Sequence, residues 1–211
     1  VLACIAMPLT DVEVEYEPIE LAGGLRPKSW RAKVVSMAKA AEDVMIVHLA
    51  VEGDEPLLFY AGQYINIVMP DGVKRAFSFA TAPGAGPTIE LQIRRVPGGR
   101  YTTHVFEEMK VGDTVDFEGP LGSFFLREDS SKPIVFVAGA TGFAPVKSMV
   151  EHAFATGLKR RMVLYWGTRT PRDMYARELC ERWAKDHPAT FKFVPVISEA
   201  TPEDGWTGRT G

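Results

Sequence analysis

Cysteine is scarce. The 211 residues contain two, Cys4 and Cys180, with no C-x-x-C or metal-ligand spacing between them. That usage excludes a disulfide-stapled fold and suits a reducing compartment, so a cytoplasmic protein is expected. His48, His104, His152 and His187 show no H-x-x-x-H or HExxH spacing, which argues against a zinc site. The longest apolar run, 134–146, is broken by Gly139, Gly142 and Pro145, so no membrane span is expected. Neither a basic run nor an Arg-rich face is present, and the net charge is -3, so no nucleic-acid partner is expected. Ser123 and Ser148 lack the surroundings of a nucleophile elbow. The chain has no initiator Met at Val1, no basic leader and an abrupt end at Gly211, and is expected to be a fragment at both ends.

Hydrophobic residues make up 46% and charged residues 24%, the balance of a globular protein. The length allows one large domain or two ordinary ones. Residues 12–29 are acidic and then punctuated by Gly23, Gly24 and Pro27, as a linker would be. From Trp30 to Gly122 the pattern is β, with strands expected at 30–38, 44–51, 63–69, 75–80, 88–96 and 114–118. Glu52-Gly53-Asp54, Pro70-Asp71-Gly72, Pro83-Gly84 and Gly112-Asp113 supply turns between them. A short helix is expected at 103–109. Six strands at this spacing predict a small closed antiparallel barrel.

After Lys132-Pro133 the period changes. The continuous apolar run 134–138 predicts a parallel strand covered on both faces. Val146, Met149, Val150, Ala153 and Phe154 then follow the stripe of an amphipathic helix. A strand is expected at 162–166, a helix with Thr170 as N-cap and Pro171 at its first position, and a strand at 191–197. The expected architecture is therefore an all-β six-stranded barrel followed by an incomplete α/β doubly wound parallel sheet. The expected division is 1–28, 29–130 and 131–211.

Three constellations carry chemistry. In Gly139-Ala140-Thr141-Gly142-Phe143-Ala144-Pro145, small residues between a strand and a helix let backbone N–H groups approach a phosphate. In Arg75-Ala76-Phe77-Ser78, the Arg suits a diphosphate, the ring a flavin or base, and the Ser a ring nitrogen. Strict alternation would place Arg75 and Phe77 on one face and Ser78 on the other. In Gly98-Gly99-Arg100-Tyr101-Thr102-Thr103, consecutive glycines free the amides and a Thr hydroxyl stands at a helix N-terminus. Each has a plainer reading by itself: a tight strand–helix turn, a half-exposed strand, a capped Gly-Gly turn.

Taken in order, Arg-x-aromatic-Ser, Gly-Gly-x-x-Thr and Gly-Ala-Thr-Gly-x-x-Pro resemble the ferredoxin–NADP reductase superfamily. Further matching stretches are Ala61-Gly62-Gln63-Tyr64, Glu118-Gly119-Pro120-Leu121-Gly122, Tyr165-Trp166-Gly167-Thr168-Arg169, Asp173-Met174-Tyr175 and Gly205-Trp206-Thr207-Gly208-Arg209-Thr210-Gly211. The resemblance implies that Arg75, Phe77, Ser78, Gly98, Gly99 and Thr102 bind FAD, with Ser78 tuning the flavin. It also implies that Gly139, Thr141, Gly142, Pro145, Gly167, Arg169 and Asp173 bind NADH or NADPH. Phe77 stands where Tyr is commoner, and Ala140 where a second Gly is usual. The family's later Cys-Gly-Pro-Pro segment has no counterpart.

The first residues, Val1 to Pro8 with Thr10-Asp11, resemble the tail of a plant-type ferredoxin domain, with Ile5 where Gln is usual. That resemblance implies that Cys4 ligates a two-iron two-sulfur cluster whose other ligands would precede residue 1. The expected activity is hydride transfer from NAD(P)H to bound FAD, then single-electron transfer to the cluster and to an oxygenase, ferredoxin or dehydratase partner. The alternatives are a free flavin reductase and a non-catalytic FAD-holding electron-transfer subunit. NADH is favoured by the resemblance, but Arg169 would suit either a ribose or a 2′-phosphate.

Overall fold

A computed structural model describes residues 7–13 and 25–211. Cys4, Gly23 and Gly24 lie outside the described residues.

The first half is an antiparallel sheet of β1 (Lys28–Ala41), β2 (Val44–Val51), β3 (Tyr64–Val68), β4 (Lys74–Ser78), β5 (Thr88–Arg94) and β6 (Thr114–Leu121). The strand order is β4-β3-β6-β1-β2-β5, and a Phe79–Leu91 bridge brings the two ends together into a barrel. Alternation explains the core: Ile89, Leu91 and Ile93 of β5 point inward, as do Val47 and Leu49 of β2 and Ile65 and Ile67 of β3. Burying a side chain of this size contributes about 1.5–3 kcal/mol. The helix α1 (Arg100–Glu107) packs against the barrel with Tyr101 and Val105 buried. It begins three residues before the expected 103, because Gly99 is the N-cap and its carbonyl accepts the N–H of Thr103 at 2.8 Å.

The second half contains β7 (Ile134–Gly139), α2 (Phe143–Ala155), β8 (Met162–Thr168), α3 (Arg177–Asp186), β9 (Phe191–Ile197) and β10 (Arg209–Thr210). Its strands are parallel in the order β10-β9-β8-β7. Phe136, Ala138, Leu164, Trp166, Phe191 and Ile197 share one core with Val146, Met149 and Val150 of α2 and Cys180 and Trp183 of α3. The expectation of cover on both faces of β7 is not met among the described residues: Val135 is 64% and Val137 80% exposed. Both helices lie on the opposite face. The helix expected to start at Pro171 is also divided. Thr170 and Asp173 close a capping box around a 3₁₀ turn, Pro171–Asp173, and α3 itself starts at Arg177.

Candidate functional site: a cleft between barrel and parallel sheet

A cleft of about 610 Å³ opens where the two halves meet, and its lining brings the three constellations together. Arg75, Phe77 and Ser78 come from β4, Gly98, Gly99 and Thr102 from the start of α1, and Thr141, Gly142 and Ala144 from the turn into α2. That volume lies within the range of about 300–1,000 Å³ common for small-molecule sites.

All four residues of Arg75-Ala76-Phe77-Ser78 line the cleft, so alternation does not segregate them as expected. The reason is position: β4 stands at one end of the sheet order, where the strand edge itself faces the opening. Arg75 is exposed, donates to the Lys74 carbonyl at 2.9 Å and pairs with no carboxylate among the described residues. Arg94, the other cationic lining residue, is committed to Asp43 at 2.7 Å. Phe77 is half-buried, its ring 5.5 Å from that of Tyr101. Burial of Tyr101 drives its phenol well above the ordinary range, so it stays neutral.

At the start of α1 the backbone is shaped by glycine. Gly98 has φ +73, and a Cβ on Gly99 would stand 2.6 Å from Thr102 Oγ1 and 3.0 Å from the Val96 carbonyl. The N–H groups of Arg100, Tyr101 and Thr102 precede the first intrahelical bond and point out of the helix. No acidic residue occupies that first turn. The Thr102 hydroxyl turns inward: it reaches the Gly99 carbonyl at 3.0 Å and accepts the Val96 N–H at 3.2 Å.

Across the cleft, Ala140 adopts φ 46, the left-handed region where Gly is at ease. The turn is pinned from beneath, since Trp166 Nε1 donates to the Ala140 carbonyl at 2.9 Å and the Phe143 ring stacks on Trp166 at 4.2 Å. Gly139 and Gly167 are paired neighbours at the C-terminal ends of β7 and β8, where open parallel sheets take their ligands. Arg169 is exposed just beyond. Pro145 is buried inside the first turn of α2, and an Asp173 carboxylate oxygen accepts the Thr170 N–H at 3.0 Å. Gly139, Pro145, Gly167, Arg169 and Asp173 thus lie outside the cleft lining, while Thr141 and Gly142 form part of it.

Polar contacts bridging the two halves were not singled out in the sequence. Lys147 and Ser148 of α2 and Tyr175 before α3 bond to Glu90, Thr81 and Gln92 of the barrel side. The available signal was Lys147-Ser148 interrupting an otherwise apolar helix stretch; Gln92 falls on the polar side of an alternating strand and gives none.

Comparison with known proteins follows the same division. Residues 31–126 match the family described as oxidoreductase FAD-binding domain, and residues 136–211 the oxidoreductase NAD-binding domain. The chain is 36% identical over 211 residues to the CDP-6-deoxy-L-threo-D-glycero-4-hexulose-3-dehydrase reductase of Yersinia pseudotuberculosis, covering 100% of this chain and 62% of that protein. It is 34% identical to terephthalate 1,2-dioxygenase reductase component 1 of a Comamonas species, over 99% of this chain and 62% of the relative. The crystal structure of the Amycolatopsis reductase GcoB superposes with a TM-score of 0.78 at 36% identity, over 88% of this chain and 55% of that one. The chain therefore spans about three fifths of the length of these curated relatives. With an FAD-binding and an NAD-binding oxidoreductase domain in the order that its motifs announce, the chain belongs to the ferredoxin–NADP reductase superfamily.

Proposed function

We propose that the protein is an NAD(P)H-dependent flavoprotein reductase that passes electrons through bound FAD to a two-iron two-sulfur cluster and an external protein partner. The observation that carries this reading is the cleft in which Arg75, without a carboxylate partner among the described residues, the open N-terminus of α1 and the Thr141–Gly142 turn converge. FAD, when bound, accepts two electrons as a hydride and releases them one at a time.

The residues present fit that group. Arg75 and the first-turn amides of α1 hold the diphosphate, supported by charge-assisted bonds and the helix dipole. Gly98 and Gly99 let the backbone approach, and Thr102 fixes their conformation through Gly99 and Val96. Phe77 lies along the ring system and Ser78 offers a hydrogen bond to its polar edge. Thr141 and Gly142 line the entry of the nicotinamide, with Gly139 at the strand end before them and Pro145 supporting the turn from within α2. Gly167 and Arg169 meet the adenosine half, and Asp173 shapes that loop. No side chain is required as an acid or base, because hydride transfer depends on apposing two rings in near contact.

Cys4 is assigned as a cluster ligand, with NADH favoured as the donor. Division of the chain into a ferredoxin-like tail and linker at 1–28, a flavin barrel at 29–130 and a nucleotide domain at 131–211 belongs to the same proposal. The partner is an oxygenase, ferredoxin or dehydratase, by analogy with the dioxygenase and dehydrase reductases to which the chain is similar.

Steady-state NADH oxidation by FAD-loaded, desalted protein, with an artificial one-electron acceptor, tests the reading. A rate independent of added free flavin is expected. A rate that rises in proportion to added flavin would overturn it in favour of a free flavin reductase.

A further inference from the structure

The two halves are tied together on the barrel side of the cleft by largely buried polar groups. Lys147 Nζ stands 3.0 Å from Glu90 Oε2, 3.0 Å from Glu151 Oε2 and 3.1 Å from the Ala80 carbonyl. The Lys147 and Glu90 side chains are each only 12% exposed. Next to it, the fully buried Ser148 donates to the Thr81 carbonyl at 2.6 Å. From the other side, Tyr175 OH donates to Gln92 Oε1 at 2.6 Å, and Gln92 Nε2 donates to Glu90 Oε1 at 2.8 Å. The result is one connected chain: Tyr175, Gln92, Glu90, Lys147, Glu151. Gln92 itself lines the cleft.

Such a chain is sensitive to geometry. A buried charge without its partner is costly, so the pairs hold only where α2 and β5 keep one separation. Lys147 lies in the helix that starts directly after the Thr141–Gly142 turn, and Glu90 and Gln92 lie on the strand beside the Phe77–Ser78 edge. We infer that Lys147, Glu90, Gln92 and Tyr175 are positioning residues, a latch that sets the gap between the ring seat and the nicotinamide turn, and with it the rate of hydride transfer. Reacting atoms must come within about 3–3.5 Å, and a misplacement of about 1 Å costs about a hundredfold in rate. The latch thereby acts on the rate at saturation and leaves the binding of either cofactor alone. This inference rests on the function proposed above.

The test compares the full chain with Lys147→Met and with the gentler Tyr175→Phe, which removes a single hydroxyl. Three quantities are measured: FAD affinity, the NADH dependence of flavin bleaching, and calorimetric unfolding of the flavin-free chain. The expected result is unchanged FAD affinity and a half-saturating NADH concentration within about twofold of the parent. The limiting rate should fall about tenfold in Tyr175→Phe and about a hundredfold in Lys147→Met. Limiting rates equal to the parent's, or losses confined to cofactor affinity, would overturn the inference. Calorimetry needs no flavin and separates this inference from the function it rests on. A parent that melts in one transition, with Lys147→Met melting in two, supports the latch even where no flavin binds. One shared transition in both variants, unshifted from the parent, overturns it.

Discussion

Ala140 occupies a backbone conformation that suits glycine better than any residue with a Cβ. The left-handed region costs about 1–2 kcal/mol, whereas replacing Ala by Gly loosens the unfolded chain by about 0.5–1 kcal/mol. Ala140→Gly is therefore expected to raise stability by up to about 1 kcal/mol, read by urea denaturation; a loss larger than that would show that the turn is not strained. At Arg75 the expectation runs the other way. Removing a charge-assisted bond costs about 1.5–3 kcal/mol, so Arg75→Ala should weaken FAD binding about ten- to a hundredfold in a fluorescence titration. Unchanged affinity removes Arg75 from the diphosphate site.

Glu151 adds a pH dependence. Burial raises its carboxyl above the ordinary range, a shift that the charge of Lys147 only partly offsets. Its folded form then binds a proton more tightly than its unfolded form. The associated stability is present below the ordinary carboxylate value, about 4.3, and is lost as pH rises through the raised one. Glu151→Gln should flatten the stability profile over that interval, and an unchanged slope in denaturation experiments would contradict this assignment.

Among the elements, α1 presents its first-turn amides to the cleft. Its start at Arg100 rather than 103 places Thr102 inside the first turn, where its hydroxyl ties the helix to Val96 and Gly99. A Cβ at Gly99 would collide with that hydroxyl and with a backbone carbonyl, and overpacking of this kind costs about 1–3 kcal/mol. Gly99→Ala is expected to lower stability by that amount and abolish tight FAD binding, measured by denaturation and by flavin titration. Wild-type values for both would mean that the loop adapts freely. The strands were legible because Ile89, Leu91 and Ile93 alternate with polar neighbours, a local signal. The helix start was not, since neither Gly98 nor Gly99 announces whether it turns the chain or caps it. The division of the expected 171 helix was equally hidden: a capping box around Pro171 and Asp173 closes a 3₁₀ turn as readily as an α-helix.

For the whole molecule, the change of hydrophobic period after Lys132-Pro133 makes the barrel-then-sheet architecture legible in the sequence. The contacts between its halves were another matter. Gln92 is buried on the outer face of β5 because Tyr175, far along the chain, covers it. Nothing in the neighbourhood of Gln92 in the sequence carries that information. Lys147 would read as a solvated side chain at a helix surface until Glu90 and Ala80 are placed against it. Conversely, Val135 and Val137 read as core and stand exposed among the described residues. Local pattern reveals strands and turns, while burial between halves depends on partners far apart in sequence.

If one cleft holds FAD against the Thr141–Gly142 turn, the visible spectrum of the protein reports it. The purified chain is incubated with FAD, desalted, and recorded before and after anaerobic addition of NADH. A retained flavin spectrum that bleaches on addition of NADH is expected. A folded, monodisperse chain that loses its flavin on desalting, or a retained flavin that NADH leaves oxidised, would contradict it.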